Sequence, residues 1–224
     1  MDSSETTDLC AIPFQLPQSA ILAGCTQSGK TRFMQKLLLN SDKMFTPKPE
    51  RVIFCYTAWQ PAYDVIENHW KDKIYFTTTI PSKDELMMFS EDLCPSLLII
   101  DDKMTQLSHN QDLVDTVTIL CHHRNISTFI IVQNIYHGAL MRDISLNVQS
   151  IVLFRNPRSM RQITTLASQI SPGQSPFVLD AYRRATDAHF GYLLIDLNPQ
   201  LTCKKFQYRT NIFPEELTTV YLPK

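Results

Sequence analysis

The sequence predicts an α/β fold, a three-layer sandwich in which helices cover both faces of a mainly parallel central sheet. Three observations carry this. Short apolar runs alternate with amphipathic stretches along most of the chain. Runs such as Leu97-Leu98-Ile99-Ile100 are apolar at consecutive positions, as in strands buried on both faces. The 224 residues are 44% hydrophobic and 19% charged, enough for one domain with a real core. Collagen, coiled coil and disordered tail are excluded by the same composition.

Strands are expected at Ala20–Ala23, Val52–Tyr56, Leu97–Ile100, Phe129–Val132, Ile151–Phe154 and Tyr192–Asp196. Between them Lys30–Leu39, Asp64–Trp70, Asp84–Phe89, Asn110–Arg124 and Arg158–Ile170 read as helices, with Asn110 and Ser159 as first-turn caps. Pro47-Lys48-Pro49 and Ser171-Pro172-Gly173 break the pattern, but neither is long enough to separate domains. One domain over 14–200 is therefore expected, after a polar tail, 1–13. Residues 201–224 form an arm or edge strand, because Phe206-Gln207-Tyr208-Arg209 alternates. No repeat or low-complexity tract interrupts it.

Lys+Arg 21 against Asp+Glu 22 leaves a net charge of −1, so no bulk positive field holds nucleic acid and any such contact must be local. The start, Met1-Asp2-Ser3-Ser4-Glu5, lacks the basic and apolar regions of a secretory signal, and no apolar run reaches the roughly 20 residues of a membrane span. No membrane partner is expected. The six cysteines have no short repeated spacing and are expected to be reduced thiols, in the nucleus or cytoplasm of a cell.

With only five glycines in the chain, two fall in Gly24-Cys25-Thr26-Gln27-Ser28-Gly29-Lys30-Thr31, two glycines separated by four residues and followed by Lys-Thr. An apolar strand enters this stretch and a helix leaves it. Successive backbone N–H groups and the positive helix end can wrap an anionic phosphate there, with glycines permitting the turn. Lys30 is expected to reach the terminal phosphates of ATP and Thr31 to ligate Mg²⁺.

Leu97–Ile100 ends in Asp101-Asp102. An acid at the C-terminal end of a parallel strand faces the edge where phosphates bind. Asp101 is expected to hold Mg²⁺ through water, and Asp102 to polarise the water that attacks the γ-phosphate. The second acid points to a P-loop NTPase of the additional-strand, RecA-like (ASCE) type, in which another strand lies between the loop strand and the metal strand. The interval Leu39 to Leu97 has room for it. Phe129–Val132 leads to Gln133-Asn134, and an amide at that strand end can address the γ-phosphate and its water; Gln133 is the sensor candidate. Cys121-His122-His123 is rejected as a zinc site, since adjacent side chains cannot converge tetrahedrally.

Together, Gly24 to Thr31, Leu97 to Asp102, His122-His123-Arg124-Asn125-Ile126-Ser127 leading to Gln133-Asn134, and Phe154-Arg155-Asn156-Pro157-Arg158 resemble the A32-like genome-packaging ATPases of the FtsK/HerA superfamily. These occur in DNA viruses, virophages and Polinton (Maverick) elements. The resemblance spans roughly Phe14 to Leu197. It implies a homo-oligomeric ring that hydrolyses ATP to drive double-stranded DNA into a capsid, with capsid proteins as further partners and the virion as a further location. Many relatives carry an arginine eleven residues before the sensor glutamine that acts on the neighbouring subunit's ATP. That place is His122 here, and the nearest arginine, Arg124, is the first candidate, with Arg155 and Arg158 behind it. Lys103, His137, Arg142, Arg183-Arg184 and Lys204-Lys205 are basic positions that could meet DNA phosphates.

Other readings are another P-loop phosphotransferase or host NTPase, and a nucleotide-stabilised, capsid-associated scaffold. A GTPase is disfavoured, because no Asn-Lys-x-Asp or Thr-Lys-x-Asp stretch occurs. A small-molecule kinase would want an Arg-rich lid, which is not visible. Intact Lys30, Asp101 and Asp102 argue against the scaffold.

Overall fold

The computed structural model describes residues 12–108, 110, 114–116, 121–136, 139–199 and 203–223. A two-stranded parallel pair, β1 (Phe14–Gln15) with β3 (Phe45–Thr46), sits apart from a nine-stranded sheet ordered β11-β10-β9-β8-β2-β7-β6-β4-β5. In that sheet β2 is Ser19–Ala23, β4 Arg51–Cys55, β5 Ile74–Thr77, β6 Ser96–Asp101, β7 Ile126–Val132 and β8 Ser150–Phe154. From β8 to β5 all neighbours are parallel. Three antiparallel strands then extend the sheet beyond β8: β9 (Tyr192–Asp196), β10 (Tyr208–Thr210) and β11 (Thr219–Val220).

The consecutive apolar residues bury both faces of the sheet as their pattern requires. Along β6, Leu97 and Ile99 face one core and Leu98 and Ile100 the other, and all are fully buried. The first core is closed by α1 (Lys30–Leu39), through Phe33, Met34, Leu37 and Leu38, and by α3 (Pro61–Trp70), through Tyr63, Ile66 and Trp70; the short α2 (Ser41–Met44) lies between them in sequence. The Trp70 indole N–H donates to the Leu38 carbonyl at 3.1 Å and ties α3 to α1. On the opposite face lie α4 (Lys83–Phe89), α5 (Met104–Ser108), α6 (Cys121–His123), α7 (Ala139–Asn147), α8 (Met160–Ile170) and α9 (Ser175–Ala185). A reciprocal capping box starts α4: the Glu85 N–H donates to Ser82 Oγ while the Ser82 N–H donates to the Glu85 carboxylate.

Each strand expected from the sequence forms, to within a few residues, but the order of the sheet corrects one expectation. The strand between the loop strand β2 and the metal strand β6 is β7, which follows β6 in the chain. The strands drawn from the interval Leu39 to Leu97, β4 and β5, lie on the far side of β6. Sequence order does not reveal this, because a parallel strand is joined to its neighbour by a crossover that can return to either side. A second correction concerns Ser159. It occupies the position before α8 but makes no cap bond; its hydroxyl donates to Asn134 Oδ1 at 2.9 Å. Asn110–Arg124 is only partly described, with helix at 114–115 and Cys121–His123.

Among the described residues no helix is long and apolar enough to cross a membrane. The described cysteines are all unpaired, and burial pushes the Cys55 thiol up to about 12 and the Cys121 thiol up to about 11.

Candidate functional site

The parallel strands all end on one edge of the sheet, and the segments leaving β2, β6 and β7 meet there around a cavity of ≈ 490 Å³. Thr26 to Arg32, Gln60, Asp101, Asp102, Gln133 and Phe190 line it, with Ile131 and Val132 beneath. The structure thus brings together most of the phosphate-loop, metal and water-polarising residues expected from sequence. Gly24 and Cys25 begin the loop just below it.

Both glycines of the loop are required by their surroundings. A Cβ on Gly24 would lie 2.5 Å from the Cβ of Phe154 and 2.7 Å from Ser28 Oγ. Gly29 has φ +105°, and a Cβ there would meet Phe190 Cβ at 3.0 Å. Gly29 is the residue that turns the loop into α1, so the first N–H groups of that helix open toward the cavity. The Lys30 ammonium folds back on the loop, donating to the Gly24 carbonyl at 2.6 Å and the Cys25 carbonyl at 2.8 Å. Burial holds the Lys30 amine below its ordinary range, while the nearby Asp101 carboxylate pulls the other way. Ser28 Oγ is buried without a hydrogen-bond partner, a donor left for a ligand at the loop.

Asp101 closes β6 at 5% exposure, and the Tyr63 hydroxyl donates to its Oδ2 at 2.7 Å. Burial pushes the Asp101 carboxyl above the ordinary carboxylate range, opposed by the Tyr63 hydrogen bond. The same burial, with Asp101 adjacent, pushes the Tyr63 phenol well up, so it stays a donor. Asp102 steps out of the strand with φ +56°, a left-handed conformation that Asp tolerates better than most residues. Its backbone is held from both sides: its N–H donates to the Ile131 carbonyl at 3.2 Å, and Thr57 Oγ1 donates to its carbonyl at 3.0 Å. The exposed carboxylate is 3.5 Å from Gln133 Nε2. Gln133 is anchored in turn by Asn156, whose Nδ2 donates to the Gln133 carbonyl at 3.1 Å.

The donors fit the groups that the motif implies. Thr31 and Asp101 offer a hydroxyl and a carboxylate oxygen to the cavity, a set suited to a hard cation such as Mg²⁺ that keeps waters and phosphate oxygens as its other ligands. Among the described residues no cluster of three or more His, Cys, Asp or Glu side chains converges to hold a metal alone.

Arg124 lies at the other edge. It precedes β7 while Gln133 follows it, and the seven residues of β7 span about 23 Å. Arg155 and Arg158 instead leave the end of β8 on the cavity edge, exposed, where Cys25 Sγ contacts the Arg155 carbonyl at 3.2 Å. Of the basic positions, Lys103 donates to the Thr78 carbonyl at 2.7 Å and Arg184 pairs with Asp180 at 2.9 Å. Arg142, Arg183, Lys204 and Lys205 are exposed. His137 lies outside the described residues.

Sequence reasoning missed Tyr63, Gln60, Thr57 and Phe190, and it quoted Asn156 only within Phe154-Arg155-Asn156-Pro157-Arg158, without a role of its own. Gln60 had a usable signal, since it stands just before Pro61 at a helix start that follows a buried strand. The others stand next to the site only through strand order.

No family model and no curated protein matches the chain. Solved structures do. The genome packaging NTPase B204 from Sulfolobus turreted icosahedral virus 2, in complex with AMP, is 15% identical, with a TM-score of 0.58 over 92% of this chain and 98% of that one. The same protein in complex with sulfate gives 14% identity and 0.60 over 92% and 96%. The cytoplasmic domain of the Type VII secretion ATPase EccC from Thermomonospora curvata gives 12% identity and 0.52, over 80% of this chain and 24% of that one. The chain therefore has the P-loop NTPase fold of these proteins, a mainly parallel sheet with helices on both faces and the glycine-bounded loop from Gly24 to Gly29 between its second strand and first helix.

Proposed function

We propose that the chain is an ATPase that works as a homo-oligomeric ring and drives double-stranded DNA into a viral or virus-like capsid. One observation carries the enzymatic part: the phosphate loop, Asp101, Asp102 and Gln133 line a single cavity. The packaging part is supported by the likeness to solved structures described as genome packaging NTPases, one of them in complex with ATP-gammaS.

In this reading the loop N–H groups and the α1 terminus bind the phosphates, and Lys30 exchanges its two loop carbonyls for phosphate oxygens. Thr31 and Asp101 would hold Mg²⁺, which would supply positive charge against the phosphates. Asp102 accepts a proton from water as the water oxygen bonds to the γ-phosphorus, and the bond from that phosphorus to the bridging oxygen breaks, leaving ADP and phosphate. Gln133, beside Asp102, orients that water. Arg124, or else Arg155 or Arg158, supplies charge to a neighbouring subunit's site.

Lys30→Ala should weaken ATP binding. Asp102→Asn should leave ATP bound and slow hydrolysis roughly 10²-fold or more, the scale of a lost general base. Equilibrium nucleotide binding and phosphate release, each with and without double-stranded DNA, check both. Hydrolysis at the parent rate by Asp102→Asn removes Asp102 from its role, and hydrolysis indifferent to DNA argues for a different P-loop enzyme.

A further inference from the structure

Gln60 lines the phosphate cavity, and no step of the hydrolysis written above uses it. It follows β4 and immediately precedes α3. The sheet order puts β4 on one side of β6 and β7 on the other, and the strand ends are level: Cys55 is opposite Ile100, and Asp101 is opposite Ile131. The segments that carry Gln133 and Gln60 therefore leave the same edge of the sheet on either side of the strand that ends in Asp101-Asp102.

The segment bearing Gln60 is fixed where it stands. Pro61 biases the residue before it to extended backbone, observed at φ −126° and ψ 146°, and the Gln60 carbonyl accepts the Tyr63 N–H at 2.9 Å. Just upstream, Thr57 Oγ1 donates to the Asp102 carbonyl, and the Trp59 indole N–H donates to Asp64 Oδ1 at 2.9 Å while its ring meets Tyr63 edge-on at 5.6 Å. Gln60 itself is half-buried and occupies the cap position of α3, yet its side chain makes no cap bond and has no hydrogen-bond partner among the described residues. It is an amide in a fixed place whose donors and acceptor are unengaged.

The reaction leaves a place for such a group. A water attacking in line has four directions to satisfy: one proton goes to Asp102, one lone pair goes to the phosphorus, and a second proton and a second lone pair remain. One amide cannot meet both, because its oxygen and nitrogen diverge. Gln133 turns Nε2 toward Asp102 Oδ1 at 3.5 Å, which leaves its Oε1 to accept the second proton. The second lone pair still needs a donor.

Resting on the reading of this cavity as an ATPase site, we propose that Gln60 is a second water-holding residue, whose Nε2 donates to the remaining lone pair of the attacking water across from Gln133. The two amides hold the oxygen in line with the γ-phosphorus while Asp102 takes the proton. Gln60 thus acts on the chemical step and not on nucleotide affinity.

The test measures single-turnover ATP hydrolysis with double-stranded DNA present, and equilibrium binding of ATP-gammaS and ADP, on the full chain. Gln60→Ala should slow hydrolysis about tenfold or more, the scale of a misplaced reactant, with both affinities within about twofold of the parent. Gln60→Glu keeps the length of the side chain but puts a carboxylate in place of the donor. It should be at least as slow, and should weaken ATP-gammaS about fivefold or more relative to ADP, because the added charge lies beside the γ-phosphate alone. A magnesium titration of nucleotide binding separates this from a structural role, since the same segment leads to Tyr63 on Asp101. The midpoint should be unchanged in Gln60→Ala; a raised midpoint would make Gln60 a support for α3 and overturn the proposal. Hydrolysis at the parent rate by both variants overturns it as well, and the ATPase reading then stands. A parent chain that hydrolyses no ATP overturns both readings.

Discussion

Tyr63 is buried, with its hydroxyl on Asp101, and it comes from a helix that the sequence joins to the site by no motif. Its aromatic ring packs with Phe54 and Phe76 in the core, at centroid distances of 4.8 and 5.9 Å, so Phe can replace it without a cavity. Removing the hydroxyl alone leaves Asp101 without the donor that fixes its orientation. Outer partners of this kind are worth roughly 10- to 100-fold in metal affinity. Tyr63→Phe should therefore raise the Mg²⁺ concentration that half-saturates nucleotide binding by about tenfold, with a native circular-dichroism spectrum. A magnesium titration of ATP binding reads this, and an unchanged midpoint would show that the hydroxyl serves packing only. At this scale the site was half legible. Gly24 to Thr31, Asp101, Asp102 and Gln133 announce themselves by type and order, whereas Tyr63 and Thr57 are ordinary residues until a neighbouring strand places them.

Among elements, the antiparallel extension of the sheet depends on a buried ion pair. Arg209 in β10 is 1% exposed; its guanidinium donates to Asp196 Oδ2 in β9 at 3.0 Å and to the Phe206 carbonyl at 2.8 Å. Burial lowers the arginine's proton affinity, and Asp196 opposes that. Its Nε has no partner, so the pair carries a desolvation cost that its hydrogen bonds offset only in part. Removing one member strands the other charge. Arg209→Leu should cost about 3–5 kcal/mol of unfolding free energy in a urea titration, and Arg209→Leu with Asp196→Leu should recover much of it. A double variant no more stable than the single one would mean that β10 is held by something other than the neutrality of this pair. The sequence marked Tyr192–Asp196 correctly as a strand but read Arg209 only as part of an alternating segment, because nothing local tells a surface arginine from a buried one.

For the whole molecule, Arg124 and Gln133 stand at opposite edges of the sheet, at the two ends of β7. Arg124 therefore cannot act on its own subunit's cavity, and a role in catalysis requires a head-to-tail interface that presents this edge to a neighbour. A transition-state arginine supplied in trans is worth roughly 10³-fold or more in rate. Arg124→Ala subunits and Asp102→Asn subunits should each be nearly inactive alone and partly active when mixed, since an Asp102→Asn subunit can lend Arg124 to an intact site next door. No recovery in rings containing both variants moves the role to Arg155 or Arg158, which lie on the cavity edge.

The sequence by itself determined the class of fold and the strands, and it singled out the Gly24 to Thr31 loop and the acids after Ile100 as site candidates, because these depend on local properties: runs of consecutive apolar residues, a glycine pair before Lys-Thr, and acids at a strand end. The tertiary structure alone decided which strand lies between β2 and β6, and that the chain after β8 turns antiparallel and brings Phe190 and Asn211 back to the phosphate edge. Strand order and direction are set by which crossovers and returns bury the most apolar surface across the whole sheet. That is a sum over distant residues which no single stretch of the chain contains.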